Sequence, residues 1–287
     1  MVKITEGCYE ATGHACFICD FSPPRSGDAG ILRQAAIDAD FISVAYNPGR
    51  AVRVNSAMLA AAVKQHLDKE VSFTLATRDM NKVALQSQLL GAQLLGLENV
   101  IVVQGDPFTP RDQERVKAAA DVTPTGLIAG IAGMNQGRDF RESQLRGPTD
   151  FCIGATLDLS RGFPLEAGLA GRKAKAGAHF FITQPIFDVA DAARFQEAYS
   201  EATGEALDLP VFYGLQILEA DGIIFSSVPQ EVRDQLEKGR SGVEIALELY
   251  RKFQESGLHN IYLVPPIRRG GARNYGAAKE VLAAAIR

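Results

Sequence analysis

Eight short runs of β-branched, aromatic and other apolar residues, separated by helical stretches, constrain this chain's fold more than any other feature. They are 16–21 (CFICDF), 41–46 (FISVAY), 71–76 (VSFTLA), 99–104 (NVIVVQ), 151–156 (FCIGAT), 179–183 (HFFIT), 210–215 (PVFYGL) and 260–264 (NIYLV). Most are apolar nearly throughout rather than alternating, the pattern of strands covered on both faces. Between them the sequence predicts helices over 28–38, 55–68, 80–95, 163–176, 188–202, 241–256 and 273–286. Asn55 or Ser56 is a suitable N-cap for the second. In the third, Val83, Leu90 and Leu94 recur at helical spacing. The longer stretch after the fourth strand divides into 110–121, 125–133 and a loop to 149. Gly257 follows a helix as a C′ glycine should. Every crossover is long enough for parallel pairing, so the expected fold is α/β, a (β/α)8 TIM barrel, with one domain over 1–287. An open doubly wound sheet would place G-x-G-x-x-G after its first strand, and none is there.

The chain has 287 residues, 46% of them hydrophobic, enough for one large core. Its formal net charge of −4 argues against nucleic acid or an anionic membrane surface, which select basic stripes. No stretch approaches the ~20 apolar residues of a membrane span. Residues 1–13 lack the charged and apolar pattern of a secretory signal. The expectation is therefore a cytoplasmic protein with reduced thiols. Cys16 and Cys19, with His14 just upstream, form a C-x-x-C. Residues three apart on a strand face opposite ways, so a buried structural role is expected and no metal site.

A barrel's active site forms at the C-terminal ends of its strands. Those ends supply Asp20-Phe-Ser-Pro-Pro-Arg25, Tyr46-Asn47, Thr74 with Thr77-Arg78-Asp79, Gln104-Gly105-Asp106-Pro107, Thr156 with Asp158, Thr183-Gln184-Pro185, and Tyr213 with Gln216. A carboxylate ending a buried strand is costly without a partner or a task, so Asp20 is either structural or a general acid. Gly105 allows close approach to a flat ring, and Asp106 can accept its hydrogen bonds; the plain alternative, a turn-forming Asp followed by Pro, is common. Gln184 suits a heteroaromatic amide edge or a satisfied strand end. Tyr46 and Tyr213 are further candidates for substrate contact. The loop 134–149 carries Arg138, Arg141 and Arg146, most simply as solvated charges.

Several stretches resemble the methylenetetrahydrofolate reductase family. Asp20-Phe-Ser-Pro-Pro-Arg25 is similar to its E-x-x-P-P-R, and Gln104-Gly105-Asp106-Pro107 to its Gly-Asp-Pro motif. Thr77-Arg78-Asp79-Met80-Asn81, Leu95-Gly96-Leu97-Glu98-Asn99-Val100, Gly147-Pro148-Thr149-Asp150-Phe151 and the run from Lys173 to Gln184 follow in order. The resemblance implies a barrel that binds FAD, takes hydride from NADH or NADPH, and reduces 5,10-methylenetetrahydrofolate to 5-methyltetrahydrofolate. It assigns proton donation to Asp20, pterin binding to Asp106 and Gln184, and the flavin phosphates to Lys173. Thr74, Gln104, Gly105 and Thr156 fall along the flavin side. There the pattern departs: Ala45 stands for a family Thr, Thr74 for a His, and Gln104 for an Arg or Thr. Asp20 is one methylene shorter than the family's Glu. These departures keep two alternatives open. One is a flavin-independent tetrahydrofolate enzyme, either a direct NAD(P)H reductase or a methyltransferase working with a corrinoid or other methyl-carrier protein. The other is a non-catalytic folate-binding partner subunit. A homo-oligomer is compatible with all three.

Overall fold

The computed structural model describes residues 2–8, 15–224 and 228–285. Its eight strands are β1 Cys16–Phe21, β2 Phe41–Val44, β3 Val71–Ala76, β4 Asn99–Val103, β5 Cys152–Leu157, β6 Phe180–Pro185, β7 Val211–Gln216 and β8 Asn260–Val264. They pair in parallel, each with its sequence neighbour, and β8 closes onto β1. The (β/α)8 barrel is thus the observed fold, and each predicted strand lies within two residues of an observed one. The helices are α1 Ile4–Gly7, α2 Ser56–Leu67, α3 Lys82–Leu94, α4 Pro110–Gln113, α5 Pro124–Asn135, α6 Phe163–Lys175, α7 Ala190–Thr203, α8 Gln230–Glu237, α9 Gly242–Glu255 and α10 Tyr275–Ala285. No helix among the described residues is long and apolar enough to cross a membrane.

Alternation along each strand splits the core in two. Outward residues such as Phe17, Phe73, Val100, Phe181 and Leu263 pack under the helices. Inward residues Cys16, Ile18, Phe41, Ile101, Cys152, Phe180, Ile182 and Phe212 fill the barrel. Phe180 lies where a side chain on Gly154 would go: a Cβ there would sit 2.3 Å from the ring. The barrel's lower end is shut by α1. Ile4 is fully buried among the inward residues, its amide donates to Asn99 Oδ1 at 2.9 Å, and Asn99 Nδ2 donates back to the Val2 and Val71 carbonyls. That end of the barrel is stoppered by a paired amide.

Several local expectations need correction. The stretch 28–38 forms a 3-10 helix, Ala29–Ala35, not an α-helix. Only Pro110–Gln113 of 110–121 is helical, opened by a Thr109–Asp112 capping box. In α3, Asn81 caps the start, and the buried face is Leu85, Leu89 and Ala92; Val83, Leu90 and Leu94 are exposed. The helix α8 is an addition to the predicted set. Asn55 does cap α2, accepting from the Ala57 and Met58 amides, and Gly257 does take a positive φ.

The expectation of reduced thiols is also overturned, since Cys8 and Cys16 form a disulfide. Cys16 faces into the barrel and Cys19 outward, as the strand parity required. His14 lies outside the described residues. The bridge ties α1 to the first residue of β1, with a sequence separation of 8. On the chain-entropy argument, closing a loop this short stabilises the fold by about 2–3 kcal/mol. Urea unfolding with and without reductant is expected to differ by that amount. Identical curves would mean the plug holds without its bridge.

Candidate active site

At the mouth, Asp20 is the innermost charge. It faces inward from β1 and is nearly fully buried. Tyr262, inward on β8, donates its hydroxyl to Asp20 Oδ1 at 3.1 Å, and Arg273 donates Nε to Oδ2 at 3.1 Å. The ion pair is nearly sealed, with side-chain exposures of 9% for Arg273 and 7% for Asp20. Burial raises the Tyr262 phenol well above its usual pKa, and the adjacent Asp20 charge raises it further, so it stays a neutral donor. Burial opposes the Arg273 charge, but Asp20's charge and hydrogen bond outweigh it and raise that group too.

The loop after β8 aims Arg273. Gly270 and Gly271 both take positive φ, which glycine adopts without a Cβ clash, and Ile267 bridges Arg273 across the turn. Arg268 grips Glu219 through two hydrogen bonds of 3.0 and 3.1 Å, and Asn274 donates to the same carboxylate. The loop after β7 therefore holds the loop after β8 in place.

Asp20, Tyr262 and Arg273 line a cavity of about 480 Å³ together with Gln184, Gln216 and Asp158. A register shift in the β6–β7 ladder between Ile182 and Pro185 lifts Gln184 off the sheet. Thr183 Oγ1 fills the gap by accepting the Gly214 amide at 2.9 Å. Gln184 also lines a second, adjoining cavity of about 570 Å³, with Gln104, Thr156, Lys173, Arg161 and Arg172. Lys173 is buried and donates to the Thr156 carbonyl at 2.5 Å, and burial lowers its pKa while Glu166 pulls the other way. Glu166, itself buried, pairs with Arg161 at 2.9 Å.

The sequence-derived residues thus divide. Asp20 and Gln184 share the first cavity; Gln104, Thr156 and Lys173 share the second with Gln184. Gly105 lies beside Gln104 in a third hollow on the β3–β4 side, its φ of +85° barring most side chains. Thr74 is buried on β3, its carbonyl accepting from Ser56, and lines none of these cavities. Asp106 is exposed on the rim after β4 and is not among the residues lining the Asp20 cavity; its carbonyl is bound by Arg78 Nη1 at 2.7 Å. The same guanidinium grips Asp79 at 2.6 and 2.7 Å and lies 4.4 Å over the Phe108 ring. Tyr46 joins that cluster, its phenol pushed up to about 12 by burial and then by Asp79. Tyr213 is a correction: its parity on β7 turns it outward into the helix-side core, where burial pushes its phenol up to about 12. The inward positions of β7 are 212, 214 and 216, and Gln216 is the one at the mouth. Sequence reasoning misses Tyr262 and Arg273. An inward hydroxyl on the eighth strand and an Arg beside a Gly-Gly turn are the available signals.

The comparisons agree with this architecture. The family model for methylenetetrahydrofolate reductase matches residues 8–142. Among solved structures, an uncharacterised protein from Clostridium thermocellum, described as binding two copies of 5-methyl-5,6,7,8-tetrahydrofolic acid, superposes with a TM-score of 0.66. It is 13% identical, and the match covers 95% of this chain and 94% of that one. Dihydropteroate synthase from Thermus thermophilus, in complex with 6HMPPP, gives a TM-score of 0.46 at 14% identity, over 95% and 93% of the two chains. At 13% identity the likeness to the Clostridium thermocellum protein is one of fold. The likeness to the methylenetetrahydrofolate reductase family rests on residues 8–142, which span β1 to β4 with the Asp20 and Gly105-Asp106 motifs.

Proposed function

We propose that this chain binds a reduced folate in the barrel mouth and reduces its one-carbon unit, converting 5,10-methylenetetrahydrofolate to 5-methyltetrahydrofolate. The observation that carries this reading is the shared wall of two cavities: Gln184 borders both the Asp20 cavity and the cationic one. A hydride transfer between a bound cofactor and a folate needs two such adjoining sites. In this reading the pterin lies against Gln184 and Gln216, whose amides both donate and accept. Each Asp20 oxygen keeps a lone pair beyond those used by Tyr262 and Arg273; in the folate complex the carboxylate takes up a proton from solvent there and passes it to the bridging nitrogen, opening the ring to the iminium that accepts the hydride. Asp106 stays a rim residue beyond these contacts. One barrel, residues 1–287, carries both sites.

The family implies FAD, and the second cavity's donor set fits the phosphates of such a cofactor. Lys173, Arg161 and Arg172 line it together, and Lys173 Nζ has only a carbonyl partner among the described residues. When bound there, a flavin supplies the hydride it receives from NADH or NADPH. The chain's own part is to hold the phosphates and keep the folate face beside Gln184. Lys173→Met is expected to weaken FAD binding at least tenfold, since a hydrogen bond to a charged group contributes about 1.5–3 kcal/mol. Fluorescence titration measures this, and NAD(P)H oxidation dependent on methylenetetrahydrofolate tests turnover.

A second reading is favoured by the same pair of cavities. The Clostridium thermocellum protein is described as taking two copies of 5-methyltetrahydrofolate, and two adjoining sites could serve one folate each. The chain would then be a flavin-free methyltransferase or a folate carrier. Calorimetry separates the two: one folate per chain with flavin bound supports the reductase, and two folates with no flavin uptake supports the alternative.

A further inference from the structure

Tyr262 and Arg273 hold Asp20 at its carboxylate, but the chain that carries it needs anchoring as well. After Asp20 come Phe21, Ser22, Pro23 and Pro24, and the two prolines have no N–H to donate. Only their carbonyls can be gripped, and both are. Pro23 O accepts from Arg53 Nη1 at 2.9 Å, and Pro24 O accepts from the Val54 amide at 3.0 Å. Phe21 and Ser22 are secured from α10 instead. The Tyr275 ring stacks on Phe21 with centroids 4.8 Å apart, and its hydroxyl accepts the Ser22 amide at 3.0 Å. Tyr275 follows Arg273 by two residues, so it belongs with the loop after β8. Arg53 comes from the loop after β2 and ties the β1 exit from the opposite side.

Arg53 reaches beyond Pro23. Its Nε donates to the Pro48 carbonyl at 3.3 Å, which fixes it to its own loop. Its Nη2 lies against Gly271, where an added Cβ would sit 2.6 Å from it. One guanidinium therefore touches the exits of β1, β2 and β8. The first carries Asp20 and the last carries Arg273, the two halves of the buried pair. No carboxylate among the described residues pairs with Arg53. Burial works against its charge, and the nearby Arg273 and Arg25 guanidiniums add to that. An ion pair is thus not what Arg53 contributes. A planar fork can donate to carbonyls on two loops while lying against a glycine of a third, which a compact ammonium cannot do. Arg53 is not among the residues lining the Asp20 cavity, so it acts there only through others. We infer that Arg53 is a positioning residue, which ties Pro23 to Gly271 and so sets the geometry in which Asp20 and Arg273 together meet the folate. The inference rests on the reductase reading given above.

The test reads turnover and folate affinity separately, on the full chain with FAD and NAD(P)H supplied. Arg53→Met keeps the side chain's bulk and loses its fork. It is expected to lower kcat at least about tenfold, because a small misplacement of a reacting group is costly. The Kd for 5-methyltetrahydrofolate, by calorimetry, is expected to change less than about threefold, since no ligand contact is removed. In Arg53→Ala, guanidinium chloride at about 20 mM, far below denaturing concentrations, is expected to recover part of the lost kcat. Sodium chloride at the same concentration is expected to recover none. Arg25→Met takes an exposed charge from the same rim without touching the tie, and is expected to stay within about twofold of the wild type. Gly271 allows the tie to be read without turnover. Gly271→Ala pushes Nη2 aside, so it is expected to lower the urea midpoint more in the wild type than in Arg53→Met, where that space is free. The strain at its φ of +86° is present in both backgrounds and cancels. An Arg53→Met enzyme as fast as an active wild type overturns the inference. So does a loss of kcat matched by an equal loss of folate affinity, a failure of guanidinium to rescue, or an equal effect of Gly271→Ala in the two backgrounds. A wild type that oxidises no NAD(P)H with methylenetetrahydrofolate is a different result: it removes the reductase reading itself, whatever the Gly271 comparison shows.

Discussion

Arg273→Met is expected to lower the unfolding free energy by about 3–5 kcal/mol, more than any other single substitution at the mouth. The reason is asymmetric. Asp20 and Arg273 are sealed to 7% and 9% exposure, and their mutual attraction offsets the cost of taking both from water. Removing the guanidinium leaves Asp20 with only the Tyr262 hydroxyl, which cannot balance a buried charge. Removing both charges is different, because no uncompensated ion remains. Asp20→Leu with Arg273→Met is therefore expected to be closer to the wild type than Arg273→Met alone. Arg273→Lys should fall between the wild type and Arg273→Met, since an ammonium keeps the charge but not the planar fork. Urea unfolding of the wild type, Arg273→Met, Asp20→Leu and the pair together forms a double-mutant cycle. A coupling energy below about 1 kcal/mol would show that the pair is ornamental to stability.

That pair also marks where the sequence stops being legible. The strands are readable because burial on both faces leaves an apolar run whatever the tertiary partner. The mouth is readable because strand ends in such a barrel collect polar groups by geometry. Asp20 can be named in this way, but its two partners cannot. They sit 242 and 253 residues away, and only barrel closure brings β8 beside β1. Tyr213 is misplaced because a one-residue uncertainty in strand phase reverses inside and outside. The phase is set by β7 running Val211–Gln216, which puts Gln216 inward instead. Val83, Leu90 and Leu94 mislead for the opposite reason. Their spacing does describe one face of a helix, but periodicity cannot say whether that face meets the barrel. The Cys8–Cys16 bridge depends on α1 folding back under the barrel, which four residues of helix do not announce.

Asp20→Asn is expected to lower kcat by about 10²–10³-fold, close to 3–4 kcal/mol of barrier, while raising the dissociation constant for 5-methyltetrahydrofolate less than about tenfold. The amide matches the carboxylate in size and keeps one acceptor oxygen, so the cavity's shape survives. It loses the ability to carry a proton to the substrate, which is the function proposed for it. Its NH2 would also confront either the Tyr262 hydroxyl or the Arg273 Nε, both of which donate in the wild type. Tyr262→Phe removes one of those donors and leaves the Arg273 pair intact, so it is expected to cost less than about tenfold in kcat. The contrast between the two variants separates a proton donor from a scaffold. If Tyr262→Phe costs as much as Asp20→Asn, the carboxylate acts through the phenol it anchors. If Asp20→Asn turns over as fast as the wild type, no proton passes through Asp20, and the flavin-free reading of the two cavities takes its place.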